Sequence, residues 1–243
     1  MSEIAIAFDV ATLERALELD EQLGSGPEYA KVGLQLFTAA GPDAVRALAA
    51  RGRRVFLDLK LHDIPNTVEG AARAAAGLGA DLLTVHAAGG REMIAAAVAG
   101  ARAGGHGTRV VAVTLLTSLD PNTLPPGFQT PFHLAAIGPR LLEMVESAGG
   151  HGIVCAATDL PVYRSSVPRP FFAVTPGIRP AGAEKHDQRR VTTITEAVRL
   201  GSGMLVLGRA ITSSPDPRAA LAAARGERDA ALASAATQGT ASA

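Results

Sequence analysis

FLDLKLHDIPNT (residues 56–67) reads as a strand whose two faces carry opposite chemistry. Side chains alternate along a strand, so Val55, Leu57, Leu59 and Leu61 share one face while Phe56, Asp58, Lys60 and His62 share the other. In an antiparallel sheet the charged face would meet water. In a parallel sheet both faces are covered, so the leucine face packs on helices and the charged face turns into an enclosed interior. The rest of the chain decides between these.

Moving outward, short apolar runs alternate with Ala-rich helical segments eight times. The runs are EIAIAFD (3–9), YAKVG (29–33), RVFLDLKL (54–61), LLTVHAA (82–88), RVVAVTLLT (109–117), GIVCAA (152–157), FFAVTPGI (171–178) and MLVLGRAI (204–211). Segments such as TLERALELDEQL and TVEGAARAAAGLG lie between them, and Gly52, Gly79, Gly104 and Gly150 stand where left-handed caps would end helices. Eight βα units in 243 residues predict an α/β fold, a single-domain (β/α)8 TIM barrel. We expect it to span residues 1–225, with 226–243 forming the end of the last helix and a fraying Ala/Ser/Thr/Gly-rich tail. A doubly wound sheet fits less well, because AFDVATLE after the first strand has no Gly-rich dinucleotide loop.

Formal net charge is zero, which argues against nucleic acid or an anionic membrane as the main partner. Any anion must be held by a local cluster. Cys155 lies in an apolar run and reads as a small buried hydrophobe. No apolar run approaches ~18 residues and the N-terminus lacks a basic, apolar signal pattern, so a cytoplasmic protein is expected.

Barrel active sites lie at the C-terminal ends of the strands. Asp58 and Lys60 stand near such an end, Asp9 closes strand one, Lys31 lies in strand two, His86 closes strand four, and Thr117 and Ser118 follow strand five. Lys is rare here: of 23 basic residues only Lys31, Lys60 and Lys185 are lysines, so its use between carboxylates calls for a chemical reason. The loops after strands seven and eight commonly hold phosphate. Here they read TPGIRPAGAEKHDQRR (175–190) and LGRAI (207–211). Gly177 permits close backbone approach, Gly208-Arg209 opens the last helical segment, Arg179 and Arg209 offer planar forks, and Gln188 adds a neutral donor. Arg189 and Arg190 read equally well as a solvated loop. The long polar connection after Pro176 suggests a lid.

With FDV (8–10), KVG (31–33), VHAAGG (85–90), LTS (116–118), TPGIRP (175–180), DQRR (187–190) and LGR (207–209) beside the opening stretch, the chain resembles the orotidine 5′-phosphate decarboxylase family over nearly its whole length. The resemblance implies a cofactor-free barrel, a homodimer with shared sites, and decarboxylation of orotidine 5′-monophosphate to UMP and CO2, the last step of pyrimidine nucleotide synthesis. It implies Lys60 as proton donor, Asp58 facing the substrate carboxylate, and Lys31 and Asp9 on the ribose and in the charge array. Asp63, which with Asp58 would keep Lys60 protonated and oriented, and Thr67 would reach the partner subunit's site, with Asn66 among the substrate contacts. Thr117 and Ser118 would meet the pyrimidine, while Pro176, Arg179, Gln188, Gly208 and Arg209 would line the phosphate end. His186 stands where similar sequences carry Gly, which bears on the shape of the lid.

That chemistry explains the lysine. Loss of CO2 from C6 leaves a carbanion with no adjacent carbonyl. An ammonium aimed at that carbon stabilises the charge and then donates a proton, which a guanidinium cannot do. Competing readings are a Mg2+-dependent sugar-phosphate barrel that shares the D-x-K-x-x-D skeleton, a Schiff-base aldolase using Lys60, and a non-catalytic nucleotide sensor. The I-P-N-T continuation and the LTS run argue against the first. Flanking carboxylates, which keep an amine protonated, argue against the second.

Overall fold

The computed structural model describes residues 2–24, 26–117, 134–180 and 192–240. Its strands are β1 (Glu3–Ala7), β2 (Tyr29–Gly33), β3 (Arg54–Leu61), β4 (Ala80–His86), β5 (Arg109–Val113), β6 (Gly152–Val154), β7 (Phe172–Thr175), β8 (Ile178–Arg179), β9 (Thr192–Thr193) and β10 (Met204–Leu207). Eight of them close a barrel in the order β1-β2-β3-β4-β5-β6-β7-β10, every neighbouring pair parallel. β8 and β9 form a separate two-stranded pair at its rim. The helices are α1 (Leu13–Leu23), α2 (Leu34–Ala40), α3 (Pro42–Ala50), α4 (Pro65–Gly77), α5 (Gly90–Ala103), α6 (Leu134–Ser147), α7 (Leu160–Ser166), α8 (Ile194–Arg199), α9 (Arg209–Thr212) and α10 (Pro217–Thr240).

The two faces of each strand enter two separate cores. Val55, Leu57, Leu83 and Val85 join the layer between strands and helices, while Phe56, Leu82, Val111, Val154 and Val206 fill the barrel interior. This is the division expected from the alternation in residues 55–62. The interior is closed at its N-terminal end. There Tyr29 is fully buried, and its phenolic oxygen accepts hydrogen bonds from both Arg54 and Arg109. Arg54 also lies 4.1 Å over the Tyr29 ring and pairs with Glu3 at 2.7 Å. With that end sealed, the interior opens toward the C-terminal ends.

Several strands stop short of their apolar runs. β5 ends at Val113, β6 at Val154, β7 at Thr175 and β10 at Leu207. Past the end of β6 the chain turns across the rim under cover, with Cys155, Ala156 and Ala157 all buried, whereas Leu116 past β5 is exposed. α10 runs unbroken across residues 225–226 to Thr240, and Ala231 and Leu232 pack on the same core as Leu221 and Ala224.

Two of the four expected glycine caps sit one residue away. Gly52 and Gly79 have φ of 76° and 93°, but near the other two sites the left-handed residues are Gly105 and Gly149. Gly104 and Gly150 answer crowding instead. A Cβ on Gly104 would lie 2.4 Å from the Ala76 Cβ of α4, and one on Gly150 2.6 Å from Val145 Cγ1. Gly104 caps α5 and Gly150 lies past the end of α6 at Ser147, and the atoms packed around each separate the two roles.

Candidate active site

Four charged side chains from three adjacent strand ends form a line of alternating sign. Lys31 Nζ on β2 donates to Asp9 Oδ1, just past β1, at 3.1 Å, and lies 3.6 Å from Asp58 Oδ2 on β3. Lys60 Nζ donates to Asp58 Oδ1 at 2.8 Å. Asp58 therefore bridges two ammonium groups. Burial pushes its carboxyl up, but Lys31 and Lys60, with hydrogen bonds from Lys60 and Thr84, outweigh that and hold it below the ordinary carboxylate range.

Gly33 makes room for this line. A Cβ there would stand 2.7 Å from Asp9 Oδ1 and 2.9 Å from Lys31 Nζ. We expect Gly33→Ala to spread the Asp9–Lys31 pair and lower kcat/KM about tenfold, an effect of displaced geometry. Melting should change by no more than a few degrees. Unchanged kcat/KM in the folded variant would show that the pair tolerates displacement.

Lys60 is the one non-glycine residue with positive φ among the described residues, at 51°. The pairing of β3 with β4 explains it. The register runs Leu57↔Leu83 and then Leu61↔Val85, so β3 advances four residues while β4 advances two. The excess bulges out at residues 58–60. A bulge beside a site re-aims a side chain, and a strained backbone of this kind costs about 1–3 kcal/mol unless its surroundings hold it. Because the excess is even, the alternation of faces survives and Asp58 and Lys60 still point inward. The bulge draws the two charges into contact.

The line faces a cavity of about 530 Å³ at the C-terminal mouth of the barrel. Ala7, Phe56, Val154, Val174 and Val206 form its apolar floor. Thr117, Pro176, Gly177, Arg179, Gly208 and Arg209 complete its lining, with Gly208 following β10, the strand beside β1. Gly177 has φ of 81°, and Arg179, on β8, is only 8% exposed. The helix opened by Arg209 is a single turn of four residues, so a full helix dipole is not available there. Anion binding at this end must draw on guanidinium and local backbone groups.

The cavity thus gathers Asp9, Lys31, Asp58, Lys60, Thr117, Pro176, Arg179, Gly208 and Arg209 from the sequence-derived set. Asp63, Asn66 and Thr67 do not join them within one chain. All three are exposed, and Asp63 Oδ1 accepts the neighbouring Ile64 N–H at 2.6 Å. The expected Asp63 contact with Lys60 is therefore not made inside a subunit, because the turn after β3 carries residues 62–67 outward to the start of α4. Ser118, Gln188 and His186 lie outside the described residues. His86 is half-buried with its ring 5.3 Å from His62. Desolvation, then His62 and Lys60, lower its pKa.

Two residues went unnoticed in the sequence. Gln35, in the first turn of α2, lines the cavity. Thr84, fully buried on β4, donates to Asp58 Oδ1 at 3.0 Å and accepts the Lys60 backbone N–H at 2.8 Å. In LLTVH it passes for a β-branched strand former; its place on the same face as His86 was the available signal.

The model of the orotidine 5′-phosphate decarboxylase / HUMPS family matches residues 2–224. A protein named orotidine 5′-phosphate decarboxylase from Anaeromyxobacter sp. (strain K) is 52% identical over 218 residues, covering 89% of this chain and 94% of its own length. One of the same name from Moorella thermoacetica is 44% identical, with coverage of 93% and 91%. The crystal structure of orotidine 5′-phosphate decarboxylase from Lactobacillus acidophilus superposes with a TM-score of 0.82 at 35% identity, covering 94% of this chain and 99% of that one.

Proposed function

The chain belongs to the orotidine 5′-phosphate decarboxylase / HUMPS family, and from that membership we propose that it releases CO2 from orotidine 5′-monophosphate with Lys60 stabilising and then protonating the C6 carbanion. Family identity supports the decarboxylation and its place in pyrimidine nucleotide synthesis. The observation that carries the finer reading is the Asp9–Lys31–Asp58–Lys60 line facing a cavity that Arg179 and Gly208-Arg209 also line.

In this reading the phosphate sits against Arg179, Gly208, Arg209 and Gln188, with Pro176 beside it. Thr117 and Ser118 meet the pyrimidine, and Lys31 and Asp9 hold the ribose. Asp58 faces the substrate carboxylate; as the bond to C6 breaks and CO2 leaves, the electron pair stays on C6, where the ammonium of Lys60 stabilises it and then gives it a proton, ending as a neutral amine. Binding of the remote phosphate organises the reacting end, so its contribution is realised in the rate of the chemical step. The reaction needs no metal or organic cofactor, since one fixed ammonium supplies both the charge and the proton. Asp63 and Thr67, exposed within one chain, act at the partner subunit's site in a homodimer, and Asn66 is among the substrate contacts. Among the described residues no helix is long and apolar enough to cross a membrane, and we assign the enzyme to the cytoplasm with the rest of nucleotide synthesis.

The test is to incubate purified protein with orotidine 5′-monophosphate and follow the orotate-type ultraviolet absorbance with and without EDTA. Rapid loss, insensitive to EDTA, is expected. Activity abolished by the chelator would favour the metal-dependent sugar-phosphate chemistry. Binding of UMP without turnover would favour a nucleotide sensor.

A further inference from the structure

We infer that Thr84 is a positioning residue for Lys60, its one hydroxyl locking the bulged backbone of Lys60 and the carboxylate of Asp58 into a single arrangement. This rests on the reading of Lys60 as proton donor. The bulge takes the Lys60 N–H out of the ordinary β3–β4 ladder, because the register jumps from Leu57↔Leu83 to Leu61↔Val85 around it. A backbone donor without a partner at a half-buried site would favour a different local conformation. The Thr84 hydroxyl supplies that partner at 2.8 Å.

A hydroxyl has one proton to give and lone pairs to receive. With a lone pair committed to Lys60 N–H, its proton goes to Asp58 Oδ1 at 3.0 Å, the same oxygen that accepts from Lys60 Nζ at 2.8 Å. A closed circuit results: Lys60 backbone to Thr84, Thr84 to Asp58, Asp58 to the Lys60 ammonium. Thr84 is fully buried, so no water competes for it. Its β-branched side chain, on a regular part of β4, has little freedom at χ1. A rigid residue on one strand thus fixes a left-handed residue on the next, and with it the direction of the ammonium.

The circuit predicts a division between chemistry and binding. Thr84→Val keeps the shape and removes both bonds; Thr84→Ala only removes atoms and serves if the valine variant does not fold; Thr84→Ser keeps the hydroxyl. The apolar variants should lose roughly 10- to 100-fold in kcat, as misplacement of a reacting group does, with KM and UMP affinity within about threefold. Thr84→Ser should recover to within about threefold of the parent. The acid limb of the rate profile should move to higher pH, because Asp58, surrounded by Asp9, Lys31, Lys60 and His86, loses one of the donors that favour its charged form.

The backbone amide of Lys60 gives a readout independent of activity. Its hydrogen exchange should be protected in the parent and faster by about tenfold or more in the apolar variants. An unprotected Lys60 amide in the parent overturns the inference, as does a folded Val or Ala variant with parental kcat, or a Ser variant as impaired as Val. A parent that protects this amide but leaves orotidine 5′-monophosphate unchanged would instead defeat the functional reading while leaving the positioning intact.

Discussion

Replacing Lys60 with Ala is expected to slow turnover of orotidine 5′-monophosphate by roughly 10^4-fold or more while UMP still binds. Two losses combine in that figure: the electrostatic stabilisation of a carbanion and the donation of a proton, worth about 10²–10³ and 10²–10⁴ respectively in other enzymes. Binding survives because the proposed phosphate contacts Arg179, Gly208 and Arg209 are separate residues of the cavity lining and are left untouched. Lys60→Arg should be nearly as slow, since guanidinium keeps its proton. The same variant addresses the partner subunit. Asp63 is exposed and its carboxylate accepts the Ile64 N–H of its own chain; in the proposed dimer it would serve the other subunit's site. Mixing Lys60→Ala with Asp63→Ala chains should restore about a quarter of the parental activity, because half the dimers are mixed and each has one intact site. Steady-state rates and a UMP titration decide the first point, and the mixing experiment the second. Near-normal turnover by Lys60→Ala would sink the mechanism.

Loss of the Asp58 charge should be felt in stability as well as in rate. Its side chain is 14% exposed and stands between Lys60 at 2.8 Å and Lys31 at 3.6 Å. Asp58→Asn leaves two ammonium groups facing a neutral amide, one of them on a lysine whose side chain is 9% exposed. Removing one partner of a buried ion pair costs about 3–5 kcal/mol. For a domain of this size that is a fall in Tm on the order of 10 °C by calorimetry. Turnover should fall together with it, because Lys60 loses its orienting carboxylate.

The pH dependence follows from the sign of the shift. The Asp58 carboxyl is held below its ordinary range in the folded protein, so its contribution is complete above the unfolded-chain value and disappears as pH falls through the lower folded value. The Tm difference between parent and Asp58→Asn should therefore be full near neutrality and shrink in that acid window. A difference that is small at neutral pH, or independent of pH, would mean that the lysines relax into solvent and that the line of charges is loosely held.

Much of this was legible in the sequence, because much of it depends on local polarity and period. The alternation in residues 55–62 assigned Asp58 and Lys60 to the interior, and the eight apolar runs assigned that interior to a parallel barrel. Glycine and arginine after the seventh and eighth runs marked further parts of the cavity lining. What the sequence could not carry was register. The bulge at residues 58–60 exists because β3 and β4 disagree in length between their anchored pairs, and neither strand alone records the disagreement. From it follow the left-handed backbone of Lys60 and the use of Thr84, which reads in sequence as one more strand threonine. Gly104 and Gly150 illustrate the same limit, since only a neighbouring side chain distinguishes crowding from a turn. Residue type and spacing determined which groups face the barrel interior, for burial is a property of each strand. Their contacts depended on strands distant in the chain meeting at a particular offset, and that only the closed barrel decided.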